Sequence, residues 1–452
     1  MSSSTKELVA FPGSEHALKK PWAGIQVCDE TKGIYALNVK PINHGDWTEI
    51  TKKGMPFTGL AKFGNNVINA NKALLSSSDA VTVVLDGRIN IFSQGYLGDL
   101  VEATRIVDPL LQAGKKVRIV TSHTDIFDES NSNIEIHGFP ADIPPANQYP
   151  WEPRLLSFIG KVTQGDPVIF PLNARVPLAF DIKPGGKVSN ISAISDLNGY
   201  LNQSDRQIGI RHEKWAKQGV HQLQALQGFV HLLGLSALDW QQFPNAHLFP
   251  DRYSLQTAKE VIKGYGCFYA PEKGTPLFLH PGVATDGKKI NLKGYSEDAW
   301  KASIKKIAEA ELPIGSLTIL RPIDREQGLT ASRLAKQAQE TGLPVSEVPI
   351  DEVVKKYGWS LGSFIAFLQE LSFRKGIILG CDSMPAGHAG PAVGLKSVVL
   401  GSPFFNQTFF GPAKDSFTVM PQYNPEVDNF SKVTTEFIKP DQITSALDYI
   451  TR

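Results

Sequence analysis

Three short stretches of this chain place charged and polar residues directly after apolar runs. In the first, "INIFSQGYLGDLVEATRIVDPLL" starts at Ile89, and Gly95 and Gly98 precede Asp99 where an apolar run gives way to a helical pattern. Glycines let a backbone approach a ligand closely, which would leave Asp99 at the floor of a cleft as a general base. The alternative, that Asp99 only caps the helix by accepting its free amide groups, stays open.

The second stretch, "GIILGCDSMPAGHAGPAVGLKSVVLG", carries Asp382 and Ser383 at the end of an apolar run, with His388 shortly after them. We expect a strand that delivers the first two residues to a turn, followed by a short helix. Free amide groups at a helix N-terminus bind phosphate, so these residues are candidates for holding a phosphorylated ligand. An Asp-Ser pair that caps the helix without any ligand is the alternative.

The third stretch, "FLHPGVATDGKKINLKGYSEDAW", ends an apolar run at His280 and continues through Lys288, Lys289 and Lys293 to a helix. Three cations at the carboxyl end of a strand suit the charge of a diphosphate, so His280 and the three lysines are candidates for binding one. A buried histidine followed by solvated lysines is the alternative. The chain has no D-x-D motif of the kind that bridges a metal ion to a diphosphate, so we expect no metal site.

Alternating strand and helix patterns must position these residues. Strand patterns at 81–87, 89–92, 116–122 and 134–138 surround a helix pattern at 98–113, and a second alternating series begins at 276–282 and ends at 396–401. This order predicts an α/β protein with a doubly wound parallel sheet in each half. Ligands bind outside the carboxyl ends of such strands, so we expect a cleft between the halves that both Asp99 and Asp382 face.

The remaining segments complete the predicted organisation. Short β-like runs and turns predict a β-rich N-terminal extension at 1–78, followed by Rossmann-like domains at 79–268 and 269–439. Dense prolines predict loop and irregular strand at 139–215. We expect the last segment, 440–452, to be a helix that crosses back to the first domain.

Composition excludes several classes of protein. With 46 Lys and Arg against 45 Asp and Glu in 452 residues, the formal charge of +1 gives no field that would favour nucleic acid. The three cysteines are far apart, which argues against a disulfide framework and against a zinc or iron–sulfur site. Neither a signal peptide nor a transmembrane segment is evident. We expect a cytoplasmic protein, with peripheral membrane contact left open.

Taken together and in this order, the three stretches resemble the lipopolysaccharide heptosyltransferases, glycosyltransferase family 9. That family shows a G-D turn in its first domain, a K-x-W-x-x-x-x-W stretch in its second, and D-S/T-G-x-x-H-L-A-A-A-L-G-x-P near its end. The resemblance covers residues 85–125 and 275–412. It implies the GT-B fold, in which two Rossmann-like domains face each other.

The resemblance also implies an activity: inverting transfer of a sugar from a nucleotide diphosphate-sugar to a glycan, lipid or small-molecule hydroxyl, without metal or other cofactor. Asp99 resembles the family's catalytic base, and Lys293 resembles its donor-phosphate lysine. Asp382 resembles the residue that holds the donor sugar, with Ser383 and His388 beside it.

This chain departs from the family pattern at several positions. Tyr295 replaces the usual tryptophan, Met384 stands where glycine is usual, and the loop before Lys293 is longer than in the family. The assignment of the donor-phosphate lysine is therefore open among Lys288, Lys289 and Lys293, and the donor sugar need not be a heptose.

Two other functions are compatible with the same pattern. A nucleotide-sugar epimerase of GT-B shape would consume its substrate with no acceptor present. A non-catalytic GT-B protein would instead bind a partner or scaffold an assembly, and the unusual N-terminal segment is compatible with this.

Overall fold

The computed structural model describes most of the two predicted alternating series. The described residues are 23–29, 32–39, 72–85, 97–127, 130–140, 153–169, 179–183, 187–189, 223, 227, 230, 233–235, 242–267, 274–282, 294–381, 383–401, 416–421 and 435–452. They fall into two compact units. One contains the described residues from 72 to 249, and the other contains those from 23 to 39 together with those from 250 onward.

Strands and helices alternate through both units. The strands are β1 (Ala23–Asp29), β2 (Ile34–Val39), β3 (Ala80–Val84), β4 (Lys116–Thr121), β5 (Ile134–Gly138), β6 (Pro167–Ile169), β7 (Ala179–Lys183), β8 (Lys187–Ser189), β9 (Thr275–His280), β10 (Ile314–Arg321), β11 (Val345–Pro349), β12 (Ile377–Cys381), β13 (Lys396–Leu400) and β14 (Ser416–Val419). The α-helices are α1 (Leu97–Ala103), α2 (Val107–Gln112), α3 (Pro153–Thr163), α4 (Arg252–Gly264), α5 (Glu297–Glu309), α6 (Arg325–Glu340), α7 (Ile350–Tyr357), α8 (Leu361–Phe373), α9 (Gly390–Ala392) and α10 (Pro440–Thr451).

The first unit contains a sheet in the order β5-β4-β3-β6-β7-β8. Strands β5, β4, β3 and β6 are parallel, whereas β7 and β8 are antiparallel additions. The expected helix at 98–113 is present as α1 and α2, joined by a 3-10 turn at Thr104–Ile106. The strand expected at 89–92 lies outside the described residues.

The proline-rich stretch is more regular than expected. We predicted loop and irregular strand at 139–215, but helix α3 and strands β6, β7 and β8 form within it. Helix α3 starts at Pro153, and proline is well tolerated in the first turn because its missing amide would have no partner there. Prolines therefore mark the start of this helix and do not prevent it.

The second unit contains a sheet in the order β1-β2-β14-β13-β12-β9-β10-β11. Strands β9 to β14 are parallel, and the centre of the sheet is buried on both faces, as helix-covered parallel sheets are. Helices α5, α6 and α8 begin at side-chain caps: Ser296, Asp324 and Ser360 accept the amide hydrogens of Ala299, Gln327 and Ser363, respectively.

The described part of the N-terminal segment belongs to this second sheet and is no separate extension. Strands β1 and β2 form an antiparallel hairpin, and β2 pairs with β14 through Ala36 and Phe417. Without the hairpin, β14 would have an unpaired edge, and β2 forms hydrogen bonds with that edge. The rest of the predicted extension, 1–22 and 40–71, lies outside the described residues.

Two predicted boundaries also differ from the structure. Helix α4 packs on α7 and α8, so the second unit starts at Pro250 and not at 269. Helix α10 packs on α5, β13 and β14, burying Ile443 and Leu447 in the core of the second unit. This helix was expected to cross back to the first domain, but its apolar face is used within the second one.

No described helix combines the length and the apolar character needed to cross a lipid bilayer.

Candidate active site

The second sheet changes its direction of strand addition between β9 and β12. From β9 the chain adds β10 and β11 on one side, and from β12 it adds β13 and β14 on the other. The loops that leave neighbouring strands at such a point diverge, which opens a crevice at their carboxyl ends. Strand β9 ends at His280 and β12 ends at Cys381, so the predicted residues around 280 and 383 lie at this crevice.

The structure brings His280 and Ser383 together. Gly380 pairs with His280 in the register of the two strands, and the Ser383 hydroxyl lies 3.4 Å from the Nδ1 atom of His280. Although part of the residue stays accessible, burial lowers the pKa of His280 to about 4. The imidazole is therefore neutral at pH 7 and contributes hydrogen bonds, not charge, to the site.

Ser383 does not cap the helix that follows it. It occupies the N-cap position of a π-helix, Met384–Ala389, but its side chain makes no capping hydrogen bond. The hydroxyl contacts His280 instead, which contradicts the simple capping alternative for this residue. π-Helical turns occur frequently at functional sites, and this one carries the half-buried His388.

Glycines allow the close approach that this geometry requires. A β-carbon on Gly380 would lie 3.0 Å from the Ala386 methyl group and 3.1 Å from the His280 carbonyl oxygen. One on Gly282 would lie 2.5 Å from Oε1 of Gln327. The absence of a side chain at Gly380 thus lets the π-helix and β9 both press against β12. The sequence offered this glycine only as one of several in the motif.

Residues just after the lysine stretch are firmly anchored. Tyr295 is buried, and its hydroxyl donates a 2.9 Å hydrogen bond to the carbonyl oxygen of Ile438. Its ring packs edge-on against the fully buried Trp300, with 4.9 Å between centroids. The hydroxyl of buried Thr435 donates to the carbonyl oxygen of Gly294. The sequence identified Tyr295 only as a departure from a motif, and nothing in it pointed to Thr435.

An arginine at the same edge of the sheet is already paired. Arg321 ends β10, and its Nη2 atom lies 3.0 Å from Asp351 and 2.6 Å from Glu352, at the start of α7. Its Nη1 atom lies 3.4 Å from Glu347. The hydrogen bond from Arg321 lowers the pKa of Asp351. The guanidinium is thus surrounded by three carboxylates at the ends of β10 and β11, and its charge is used there.

Asp99 lies on the first described helix after the strand at which the first sheet changes its direction of strand addition. That sheet changes direction between β3 and β6, and α1 is the first described helix after β3. Asp99 is the third residue of α1, following the buried Gly98, so it lies inside the first turn and not at the N-cap. An acid in the first turn interacts favourably with the helix dipole. Both roles considered for Asp99, stabilisation of the helix and general-base catalysis, stay predictions.

The helical region that follows α1 makes polar contacts with the segment around the buried His247. The His247 Nδ1 atom lies 2.8 Å from Oδ1 of Asp108, and the backbone amide of His247 donates to the Thr104 hydroxyl. Arg105 donates a 2.7 Å hydrogen bond to the carbonyl oxygen of Pro244. These contacts tie the segment around His247 to the helical region 97–112.

The other predicted site residues lie outside the described residues. These are Gly95, Lys288, Lys289, Lys293 and Asp382. The shared cleft expected for Asp99 and Asp382 accordingly stays a prediction. Within the described ranges, no three His, Cys, Asp or Glu side chains come together in a way that could hold a metal ion.

We compared the protein with protein families, curated proteins and solved structures, and only solved structures are similar to it. No protein-family model matches the sequence, and no curated protein matches it either. A glycosyl transferase family 9 structure from Veillonella parvula has a TM-score of 0.52, at 13% identity over 84% of this chain and 99% of that chain.

Two E. coli structures are also similar. Heptosyltransferase WaaC with ADP gives a TM-score of 0.47 at 13% identity, over 82% of this chain and 99% of that chain. ADP-heptose lps heptosyltransferase II gives 0.47 at 9% identity, over 82% and 98%. The likeness to the Veillonella structure, with the two sheets described above, confirms the predicted fold class: α/β, with Rossmann-like sheets of the GT-B type.

Proposed function

We propose that this protein is an inverting glycosyltransferase that moves a sugar from a nucleotide diphosphate-sugar to an acceptor hydroxyl. The observation that carries the proposal is the contact between His280 and Ser383, across the point where the second sheet changes direction. Two motif residues more than a hundred positions apart in sequence meet where an α/β sheet binds its ligand. The fold shared with a family 9 glycosyltransferase is consistent with this.

The donor binds at the carboxyl ends of β9 and β12 in this proposal. Ser383 and the start of the π-helix contact the diphosphate, Asp382 and His388 contact the sugar, and a lysine among Lys288, Lys289 and Lys293 neutralises the leaving group. Arg321 is committed to three carboxylates. The positive charge that a diphosphate needs therefore comes from the lysine stretch between β9 and α5.

Asp99 acts as the general base. Its carboxylate removes the proton of the acceptor hydroxyl while the acceptor oxygen bonds to the anomeric carbon. The bond from that carbon to the diphosphate oxygen breaks in the same step, and the diphosphate leaves with its negative charge. A single displacement inverts the anomeric configuration. No metal ion takes part in this proposal, because the sequence has no D-x-D motif and its lysines supply the charge.

The first experiment is a thermal-shift panel of ADP, GDP and UDP, followed by the matching nucleotide sugars. A ligand at a hundredfold excess over its Kd stabilises the folded state by about 2.7 kcal/mol. We expect one nucleoside diphosphate to raise the melting temperature clearly. If none does, the proposal is wrong and a non-catalytic function is favoured.

The second experiment identifies the reaction. The matching nucleotide sugar is incubated with a panel of glycan, lipid and small-molecule acceptors, with and without EDTA, and products are analysed by NMR. We expect a new glycosidic bond of inverted configuration, formed equally well with EDTA. A sugar of altered configuration formed without acceptor would instead identify an epimerase, and loss of transfer on chelation would refute the metal-free mechanism.

A further inference from the structure

The contact between His280 and Ser383 raises the question of which atom donates. A serine hydroxyl has one hydrogen, and it can donate either to the histidine ring or to a ligand, but not strongly to both. A neutral imidazole has one N–H, on either Nδ1 or Nε2. The 3.4 Å contact involves Nδ1, so the tautomer of His280 decides the direction in which the Ser383 hydroxyl points.

A bound diphosphate would favour the tautomer of His280 that carries its proton on Nδ1. A diphosphate presents acceptors only, so a hydroxyl that contacts it must donate. Ser383 is then left with lone pairs facing His280, which suit an N–H on Nδ1. With the proton on Nε2, the Ser383 hydroxyl would donate to the ring and turn its lone pairs toward a negatively charged ligand.

We propose that His280 is a positioning residue for the diphosphate: its Nδ1–H donates to the Ser383 oxygen, so that the Ser383 O–H donates to a phosphate oxygen. This inference rests on the proposed function, because it assigns the ligand of Ser383. It differs from the sequence-based prediction, in which His280 was itself a candidate for binding the diphosphate. His280 acts only through Ser383.

The surroundings of His280 fit a positioning role better than a direct contact. Its backbone is fixed by pairing with Gly380, where a β-carbon would lie 3.1 Å from the His280 carbonyl oxygen. On the other side, the Cε1 atom of the ring would lie 3.5 Å from a β-carbon on Gly282. The backbone of His280 is therefore held by β12, and its ring lies close to Gly282. Burial also keeps it neutral, so that it offers no ion pair to a phosphate.

Isosteric substitutions test which ring nitrogen matters. The amide of His280→Asn can reach the position of Nδ1, whereas that of His280→Gln reaches toward Nε2, and His280→Leu offers neither. The nucleoside diphosphate that binds the full-length protein, from ADP, GDP and UDP, is titrated by calorimetry. We expect His280→Asn to bind nearly as well as the native protein, and His280→Gln and His280→Leu to bind about tenfold more weakly.

A double-mutant cycle separates positioning from a general structural effect. Ser383→Ala should weaken binding about tenfold, and His280→Leu should add nothing in that background. Additive losses, or equal losses in the Asn and Gln variants, would overturn the inference while leaving nucleoside diphosphate binding intact. Absence of binding by the native protein would overturn the proposed function itself. Circular dichroism confirms that each variant is folded, and the Asn and Gln pair keeps the test informative if the Leu variant is not.

Discussion

The hydroxyl of Tyr295 donates a hydrogen bond to the carbonyl oxygen of Ile438, joining the residue before α5 to the segment before α10. Both residues are buried. Burial raises the pKa of Tyr295 to about 12, so the hydroxyl stays protonated and remains a donor over the whole physiological range. The segment that directly follows the lysine stretch is therefore fixed to the segment before α10.

Removing this hydroxyl should destabilise the protein. We expect Tyr295→Phe to lower the free energy of unfolding by about 1–2 kcal/mol, because the carbonyl oxygen of Ile438 loses its buried donor. Chemical denaturation measures the change. Tyr449→Phe is the matched control, since Tyr449 is partly exposed on α10; equal losses in both variants would show that the buried bond contributes nothing specific.

A second prediction concerns pH. Hydrogen bonds from Arg333, at 2.8 and 2.9 Å, and a contact with Lys301 lower the pKa of Glu297 to about 2. A carboxyl whose pKa is depressed by folding stabilises the folded state above its unfolded value, near 4.5, and loses that contribution as the pH falls toward 2.

Glu297→Gln should therefore lower the melting temperature at pH 7 by a small amount, about 1–2 °C for a largely solvated pair. The difference from the native protein should shrink below pH 4.5. Asp298→Asn is the control, because the Asp298 side chain is 96% exposed and 3.7 Å from Lys301. A constant difference from pH 7 to pH 3 would contradict the assignment.

A third prediction concerns the approach of the π-helix to β12. Gly380→Ala places a methyl group against Ala386 and the backbone of His280, so we expect a loss of about 1–3 kcal/mol in stability and weaker nucleoside diphosphate binding. Gly138→Ala is the control, because its β-carbon would meet only the Thr124 methyl group at 3.6 Å. Unchanged affinity in a folded Gly380→Ala protein would argue against a ligand at this strand end.

Substitution of Asp99 tests the catalytic base. Asp99→Asn should lower kcat by about 10²–10⁴-fold, because an amide cannot accept the proton of the acceptor. Since Asp99 lies in the first turn of α1, loss of its charge should also cost up to about 1 kcal/mol of stability. Donor affinity should hardly change. Near-normal turnover would move the catalytic role elsewhere.

The lysine stretch gives a ranked prediction. Lys293 directly precedes Gly294, whose carbonyl oxygen is held by Thr435, so the chain next to Lys293 is fixed. We expect Lys293→Ala to weaken nucleoside diphosphate binding more than Lys288→Ala or Lys289→Ala, by about 1.5–3 kcal/mol. Equal small losses at all three positions would favour a solvated loop.

The sequence predicted the elements that follow local rules. Strands β4, β5 and β9 were predicted at 116–122, 134–138 and 276–282, and the observed bounds differ from these by at most two residues. Helix α6 starts at Arg325 because the Asp324 side chain caps it, although Gly328 in its first turn is a poor helix former.

Long-range relationships were less accessible. The pairing of β2 with β14 joins opposite ends of the chain, and no local pattern encodes it. His280 and Ser383 were predicted as binding candidates at the ends of two strands. Their direct contact was not predicted. Their contact through a particular nitrogen depends on the register of β9 and β12, which hydrophobic periodicity leaves undetermined.

The hairpin of β1 and β2 can complete its contacts only after residues much later in the chain have been synthesised. The turn at Lys32 is held by Gln442, which lies 410 residues later in the chain. Strands β1 and β2 are synthesised well before β14 and Gln442, and such a large sequence separation between contacting residues slows folding. A fragment starting at Pro250 would lack the hairpin and expose the edge of β14, and an exposed strand edge promotes aggregation.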